Sequence, residues 1–304
     1  MPNTQANLLQ GSLVKTITPD GLELAGFWVD RKSDTAVFHS HGTSGDFYTH
    51  EFIGREAREL EKLGVSFLTA NNRGHDVYAD VRCHKEGKIS WVQGGGAFEA
   101  FENCVLDISA WLDFLSQQGI KKVILQAHSL TQKILYYQHI KHDPRVIGQI
   151  HLSPCNDAGF MLATLGKEKY QETNTMITQM MAEHKEKELL PPELAVVCPM
   201  ATRAYSGYLT EESVGNLFPY HDPTSLKWEI LGQTIDPLLA IFGGSDGFIK
   251  PSITEAAKLF GEHAASARNK AMIVIPEAPH SYIGYEIPLV EEILTWISTM
   301  QRTQ

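Results

Sequence analysis

Short apolar runs alternate with helix-like stretches along most of the chain. An apolar run of about four to eight residues, bounded by glycine, proline or polar residues, is typical of a buried β-strand. Such runs occur in the segments TAVFHSHG, VSFLTAN, KKVILQA, RVIGQIHLSP, PLLAIFGG and KAMIVIPEA. Because parallel strands need crossovers and are buried on both faces, this alternation predicts an α/β fold with a mostly parallel central sheet.

Apolar residues at three- and four-residue spacing predict the helices that flank this sheet. One helix is predicted over residues 51–64 and another over residues 101–119, each ending at a glycine. Further helices are predicted from about Thr131 and in the segments ITEAAKLFGEHA and LVEEILTWISTM. Near the start, GSLVKTITPDGLELAGFWVD predicts two strands joined by a turn at residues 19–21.

One long segment interrupts the alternation of strands and helices. Residues 156–233 are rich in helical patterns and contain no convincing apolar strand. We therefore predict a helical cap inserted over residues 156–233. The predicted core is then formed by residues 1–155 together with residues 234–304.

Composition limits the classes of partner. The chain has 304 residues, of which 43% are hydrophobic and 20% charged, enough for a large core in an α/β domain. A net charge of −10 without a basic patch argues against nucleic acid and anionic membrane surfaces as partners. No apolar run approaches the roughly 18 residues that a membrane span requires.

The cysteines and the first residues bear on localisation. The four cysteines are scattered without a C-x-x-C pair, so they are typical of reduced thiols in a cytoplasmic protein. The opening MPNTQANLLQG has neither the basic region nor the apolar stretch of a secretory signal. We therefore expect a cytoplasmic protein. The sequence leaves open whether the chain forms a homodimer.

Three chemically reactive residues follow three of the predicted strands. Ser129 comes after KKVILQA, Asp246 after PLLAIFGG and His280 after MIVIPEA. In an open α/β sheet, the carboxyl ends of the strands meet at one edge, where ligands bind. A serine hydroxyl is a weak nucleophile that needs a base, and the base needs an acid to orient it. A lone serine at a strand end is more often a helix cap, but the three residues together favour a catalytic triad.

These residues resemble a known superfamily. QAHSLTQ followed by a helix resembles the nucleophile elbow of the α/β-hydrolases, whose chain order is serine, acid, histidine. The resemblance covers residues from about 20 to 300 and implies an α/β-hydrolase fold of the serine esterase and lipase type. It implies Ser129 as nucleophile, Asp246 as acid and His280 as base. HSHGTSGD resembles the oxyanion loop, which implies the amides of Thr43 and Leu130 as donors.

Two further segments extend the resemblance, and one residue departs from it. NNRGHD resembles the structural Arg-Gly loop of the superfamily, and GGGAFEAFENCVLDISAWLDFL is similar to a poorly characterised bacterial branch. The usual elbow is Gly-x-Ser-x-Gly, whereas this one has Ala127 and Thr131 at the two glycine positions. Because the strained turn needs small residues, Thr131 leaves room for a slow enzyme or a non-catalytic relative.

Other candidate residues surround this site. His128 is interpreted as a pocket-wall residue, and the cap methionines either line an adaptable apolar pocket or pack as ordinary helix residues. The methionines assigned to substrate binding are Met161, Met176 and Met180. His39 and His41 form an H-x-H pair, but the remaining histidines and cysteines lack ligand spacing, so no metal is predicted.

The predicted activity is cleavage of an ester-type bond in a small, apolar acyl substrate through an acyl-enzyme, without a cofactor. Because one fold hosts many chemistries, a thioesterase, a lactone hydrolase, a C–C bond hydrolase and an acyltransferase remain alternatives. A binding protein that has lost catalysis is the alternative from another class, and Thr131 is the residue that supports it.

Overall fold

The computed structural model describes residues 8–303. Residues 1–7 and residue 304 lie outside the described residues. They belong to the predicted core, and residues 1–7 also belong to the opening segment considered for a secretory signal. The strands are β1 Ser12–Ile17, β2 Glu23–Val29, β3 Thr35–Ser40, β4 Ser66–Ala70, β5 Ala79–Lys85, β6 Lys88–Gly94, β7 Lys122–His128, β8 Val146–Leu152, β9 Leu238–Gly243 and β10 Ala271–Ile275.

Nine α-helices connect or cover these strands within the described residues. They are α1 Glu51–Glu59, α2 Cys104–Gln117, α3 Gln132–Lys141, α4 Asp157–Leu165, α5 Lys167–Ala182, α6 Thr202–Tyr208, α7 Glu229–Gly232, α8 Ile253–His263 and α9 Glu286–Thr303. Short 3₁₀ turns cover Leu60–Leu63, Phe101–Asn103 and Leu226–Trp228. In the part of the chain that the structure describes, no helix combines the length and apolar character needed to cross a membrane.

The sheet has eight strands in the order β1-β2-β4-β3-β7-β8-β9-β10. The β1–β2 and β2–β4 pairs are antiparallel, and every pair from β4 to β10 is parallel. The carboxyl ends of β7, β8, β9 and β10 therefore lie side by side at one edge. This is the mostly parallel sheet that the alternation of apolar runs predicts.

The central strands are apolar on both faces because helices cover each face. On β7, Ile124 lies in a cluster with residues of α1 and α9, while its neighbour Leu125 lies in a cluster with residues of α2 and α3. Both side chains are at most 1% exposed. Successive side chains of a strand point to opposite faces, so an unbroken apolar run is what a two-sided core requires.

Strands β5 and β6 form a two-stranded hairpin outside the main sheet. The pattern of apolar residues does not predict this hairpin. Its two strands pair antiparallel over residues 79–94. The turn residues Glu86 and Gly87 both have positive φ, at 50° and 72°, as a tight hairpin turn requires. Most side chains of the hairpin are exposed, with Val81 and Cys83 among the few buried ones, so the segment lacks the apolar run that identifies a core strand.

Residues 156–233 contain helices α4 to α7 and, among the described residues, no strand longer than the isolated bridge of Leu189 with Ala201. Helices α4, α5 and α6 share an apolar cluster of their own. Phe218 and Trp228 instead pack with β9 and α8 in a cluster of the core. The division at residue 233 stays a prediction, and these contacts favour a cap that ends before Phe218.

Candidate active site

Ser129, His280 and Asp246 form one hydrogen-bonded line at the carboxyl edge of the sheet. The Oγ of Ser129 lies 2.9 Å from Nε2 of His280, and Nδ1 of His280 lies 2.7 Å from Oδ2 of Asp246. Asp246 is 5% exposed and its carboxylate can only accept hydrogen bonds. We therefore assign the Nδ1–H tautomer to His280, which leaves the lone pair of Nε2 facing the Ser129 hydroxyl.

The turn at Ser129 is strained in the manner of a nucleophile elbow. Ser129 has a φ of 69°, in the left-handed region that non-glycine residues rarely adopt. Its N–H donates to the carbonyl of Leu152 at 2.9 Å, and its carbonyl accepts from the N–H of Thr131 at 2.7 Å. These two bonds hold the serine between the end of β7 and the start of α3, so its hydroxyl projects from the sheet edge.

The unusual Thr131 fits into the elbow without an unpaired hydroxyl. Its side chain is fully buried, and its Oγ1 lies 3.0 Å from Nδ1 of His151 on the neighbouring strand β8. Burial lowers the pKa of His151 to about 3, so the ring is neutral and one of its nitrogens carries a lone pair. The threonine is therefore accommodated by a hydrogen bond that the sequence pattern did not suggest.

The loop after β3 lies directly against the elbow. A Cβ placed on Gly42 would lie 2.6 Å from Cβ of Ser129 and 3.1 Å from the amide nitrogen of Leu130. The amides of Thr43 and Leu130 donate to no protein atom within residues 8–303. Two unpaired N–H groups beside a candidate nucleophile are what an oxyanion hole needs.

We expect a Gly42→Ala substitution to lower kcat/KM by about 100-fold or more. The new methyl group would sit 2.6 Å from Cβ of Ser129 and 2.8 Å from the carbonyl of His128, so the loop has to move away. A displacement of about 1 Å at a reacting centre can cost this much. The measurement is steady-state kinetics with a short-chain ester, alongside a thermal melt.

Gly54→Ala is the matched control for this substitution. A Cβ on Gly54 would meet only a guanidinium nitrogen of Arg58, at an ordinary 3.6 Å. Gly54 lies in α1, where alanine is favoured over glycine by about 0.5–1 kcal/mol. Full activity in both variants would contradict the close approach of the loop and the elbow as a catalytic requirement.

A buried polar cluster supports the loop from behind. The side-chain amide of Asn72 donates to the carbonyl of His41 at 3.1 Å, and its Oδ1 accepts from Nζ of Lys133 at 3.3 Å. The same Nζ donates to Glu99 at 2.7 Å, and both side chains of this ion pair are at most 2% exposed. Breaking such a pair would leave a buried charge, so the cluster fixes the position of the loop.

The NNRGHD segment is tied to α2, in agreement with a structural role. The Arg73 guanidinium donates to Asp107 at 2.8 Å and to Asp20 at 3.0 Å. The Arg73 amide also donates to Asp107 at 2.9 Å. These charge-assisted bonds link the turn after β1 and helix α2 to the loop that carries Asn72.

His128 lies beneath His280 and is 3% exposed. Its Nε2 is 2.8 Å from the carbonyl of His280, and the two ring centroids are 4.9 Å apart. Burial, and to a lesser extent repulsion from the positive form of His280, holds the pKa of His128 well below its usual range. The His128 ring is therefore neutral, and its Nε2–H donates to the carbonyl of His280. The geometry makes His128 a support for His280, while its predicted contact with substrate stays a prediction.

The cap methionines pack against one another and against the elbow. Met161 is fully buried in the cap cluster, which also contains Leu130, the residue after Ser129. Met176 and Met180 are half-buried at the periphery of this cluster. Their packing gives the cap an apolar interior next to the site, and their predicted contact with substrate stays a prediction.

Two polar residues that follow β8, Cys155 and Asp157, are absent from the predicted site. The Sγ of Cys155 lies 3.9 Å from Oγ of Ser129 and 3.9 Å from Nδ1 of His280. Asp157 accepts from Nε2 of Gln132 at 2.9 Å, and burial raises its pKa to about 6. The rule that reactive residues follow strand ends, applied to RVIGQIHLSP, would have identified both.

A metal ion would not fit among these groups without rearrangement. Ligand atoms of Cys155, Asp246 and His280 lie within 4.8 Å of one another. Nδ1 of His280 and Oδ2 of Asp246, however, are only 2.7 Å apart, which is a hydrogen-bond distance. Zinc would need about 2.0 Å to each atom and therefore a wider separation between them.

The eight-stranded sheet with a serine elbow and a hydrogen-bonded triad at its carboxyl edge defines an α/β-hydrolase fold. The chain belongs to the family described as protein of unknown function (DUF1749), whose model matches residues 90–298. No curated protein matches the chain in sequence.

Several solved structures are similar in fold at low sequence identity. The siderophore hydrolase EstB from Aspergillus fumigatus has a TM-score of 0.65 at 17% identity, covering 97% of this chain and 99% of its own. Est1E from Butyrivibrio proteoclasticus, with ferulic acid bound, has a TM-score of 0.65 at 16% identity, covering 95% and 100%. The Pyrococcus furiosus esterase Pf2001 has a TM-score of 0.61 at 15% identity, covering 96% and 91%. Identities this low establish the fold.

Proposed function

We propose that this protein is a serine hydrolase that cleaves an ester-type bond through an acyl-enzyme. The observation that carries the proposal is the line from Ser129 through His280 to Asp246, with contacts of 2.9 and 2.7 Å. Both contacts lie in the range that proton transfer needs. The esterases among the proteins of similar fold support the same reaction class.

In the first half-reaction, Ser129 becomes acylated. Nε2 of His280 takes the hydroxyl proton as Oγ attacks the carbonyl carbon, and Asp246 stabilises the imidazolium that forms. The carbonyl oxygen becomes an oxyanion, to which the amides of Thr43 and Leu130 donate; each such donor contributes about 3–4 kcal/mol. The bond to the leaving oxygen then breaks, and His280 returns the proton to that oxygen.

In the second half-reaction, water releases the acid. Nε2 of His280 takes a proton from water as the hydroxide attacks the acyl carbon. The bond from Ser129 Oγ to that carbon breaks, and His280 gives its proton back to Oγ. The products are a carboxylic acid and an alcohol, and the enzyme returns to its starting state without a cofactor.

The apolar cap interior supports a small apolar acyl group as substrate. Leu130 supplies one proposed oxyanion donor through its amide, while its side chain packs in the same cluster as Met161. Leu130 and Met161 are themselves closed to solvent, so an acyl chain whose carbonyl oxygen reaches the Leu130 amide would meet the partly buried apolar residues at the periphery of this cluster, Met176 and Met180 among them. Thioesters, lactones and activated C–C bonds can use the same triad, so a panel of these substrates beside p-nitrophenyl esters of graded length decides among them.

A fluorophosphonate probe tests the proposed nucleophile directly. We expect one adduct per folded chain, located at Ser129 by peptide mass spectrometry, because only an activated serine reacts rapidly with such probes. Denatured protein is the control and should remain unlabelled. Folded protein that stays unlabelled at Ser129 would instead favour a binding protein that has lost catalysis.

We further propose that the protein works in the reducing environment of the cytoplasm. The four cysteines are free thiols, and three of them are buried: Cys83, Cys104 and Cys155. Burial raises the pKa of the Cys104 and Cys155 thiols well above the usual range, so neither is poised for oxidation.

A further inference from the structure

One phenylalanine lies beside the candidate general base, and a second packs against the first. Phe248 follows Asp246 by two residues, and its amide donates to Oδ1 of Asp246 at 2.9 Å. The other oxygen of the same carboxylate contacts His280. One buried carboxylate therefore positions both the imidazole and the backbone of Phe248.

The two rings form a continuous aromatic surface next to the imidazole. The ring centroid of Phe248 lies 4.7 Å from that of His280, and the ring of Phe160, in the first turn of α4, lies 5.2 Å from that of Phe248. Phe248 is 37% exposed and Phe160 is half-buried. We call Phe160 and Phe248 the aromatic wall.

The reaction places the leaving group on this side of the site. During acylation the carbonyl oxygen faces the amides of Thr43 and Leu130, while the leaving oxygen has to face Nε2 of His280 to receive its proton. A substituent on the leaving oxygen then extends from His280, and the exposed ring of Phe248 adjoins that imidazole at 4.7 Å.

We propose that the aromatic wall is a subsite for the leaving group, and that it selects esters of flat, apolar alcohols such as arylmethyl alcohols or phenols. An aromatic group on the leaving oxygen can stack on Phe248. The contact removes the exposed face of Phe248 and one face of the substrate ring from water, which is favourable for both apolar surfaces. This inference rests on the proposed function, because it needs a leaving oxygen beside His280.

The test compares methyl and benzyl esters of one short-chain acid. The two alcohols have nearly the same acidity, so chemical reactivity is matched and the ring is the main difference. In the wild type we expect the benzyl ester to have the higher kcat/KM. In Phe248→Ala we expect kcat/KM for the benzyl ester to fall about tenfold, and kcat/KM for the methyl ester to stay within about twofold. Deacylation of the common acyl-enzyme should be unchanged, because the leaving group has already departed.

Two further variants sharpen the comparison. Phe160→Ala, at the far end of the wall, should lower the benzyl-to-methyl ratio in the same direction. Trp91→Ala removes an aromatic ring that is 62% exposed on the β5–β6 hairpin, and should leave the ratio unchanged. If Phe248→Ala does not fold, inhibition of the wild type by benzyl alcohol replaces it, with methanol at the same concentration as the control.

The outcomes separate the subsite from the reaction itself. A lower benzyl-to-methyl ratio in the two wall variants, or competitive inhibition by benzyl alcohol alone, supports the subsite. An unchanged ratio, an equal loss for both esters or no inhibition by benzyl alcohol overturns it, since an equal loss means that Phe248 only positions His280. Absence of hydrolysis of either ester, together with absence of a fluorophosphonate adduct at Ser129, overturns the proposed function as well.

Discussion

Replacing Ser129 with alanine is expected to lower kcat/KM for a chromogenic short-chain ester by about 10⁴-fold or more. The substitution removes only Oγ, which lies 2.9 Å from Nε2 of His280. The backbone at residue 129 keeps its φ of 69°, because alanine has the same Cβ and the same steric cost in that region. The free energy of unfolding should therefore change by less than about 1 kcal/mol.

The matched control is Ser245→Ala. Ser245 is exposed and precedes Asp246, and its hydroxyl makes no hydrogen bond to the described residues. We expect wild-type kinetics from this variant. If circular dichroism shows that the Ser129→Ala variant is folded and the variant retains wild-type turnover, another residue is the nucleophile.

Replacing Glu56 with glutamine is expected to change the dependence of stability on pH. Glu56 lies on α1 against the sheet, is fully buried, and accepts a hydrogen bond from Nε2 of Gln126 at 2.8 Å. The same Nε2 lies 3.0 Å from Nδ1 of His39, whose own pKa burial lowers to about 3. Burial raises the pKa of the Glu56 carboxyl from 4.5 to about 8, and the hydrogen bond from Gln126 opposes this shift only in part.

The sign of the effect follows from proton binding. Between about pH 4.5 and pH 8 the folded protein holds a proton on Glu56 that the unfolded chain has released. The contribution of Glu56 to the free energy of unfolding therefore falls as pH rises through this window and is level again above it. The full effect has an upper bound of about 5 kcal/mol, from about 1.4 kcal/mol per pKa unit. Glutamine mimics the neutral acid, so Glu56→Gln should match the wild type near pH 4.5 and exceed it above pH 8.

Urea unfolding between pH 4.5 and pH 9.5 measures this difference. Glu51→Gln, an exposed change in the first turn of the same helix, is the control and should follow the wild-type curve. Below about pH 6.5 the buried neutral His39 and His151 add the same loss of stability to all three proteins as the pH falls, so the difference between the wild type and Glu56→Gln still reports Glu56 alone. A separation between the wild-type and Glu56→Gln curves that stays constant from pH 4.5 to pH 9.5 would mean that Glu56 is not held neutral in the folded state.

The parallel sheet could be predicted, and three candidate reactive residues could be placed at its edge, because both features are encoded locally. Each central strand is a mostly apolar run, and Ser129, Asp246 and His280 each follow such a run by only a few residues. The α/β-hydrolase fold is confirmed by the solved structures of similar fold. The roles of the three residues stay predictions, although the structure brings them within hydrogen-bond reach.

The features that sequence reasoning missed depend on pairs of residues far apart in the chain. Lys133 and Glu99 are each ordinary surface residue types, and only the fold buries them together. Glu56 occupies a position on α1 where the helical pattern allows either a polar or an apolar residue. The β5–β6 hairpin is missed for the opposite reason, since its exposed side chains follow no apolar pattern.

The contact between Thr131 and His151 has a consequence for how relatives of this protein diverge. The hydroxyl of Thr131 and Nδ1 of His151 on the adjacent strand pair at 3.0 Å in a place closed to water. Losing either partner alone would strand the other without a hydrogen bond, at a cost of about 1–3 kcal/mol. We therefore expect positions 131 and 151 to be exchanged as a pair during evolution, so that homologues with glycine in the elbow carry an apolar residue in place of the histidine.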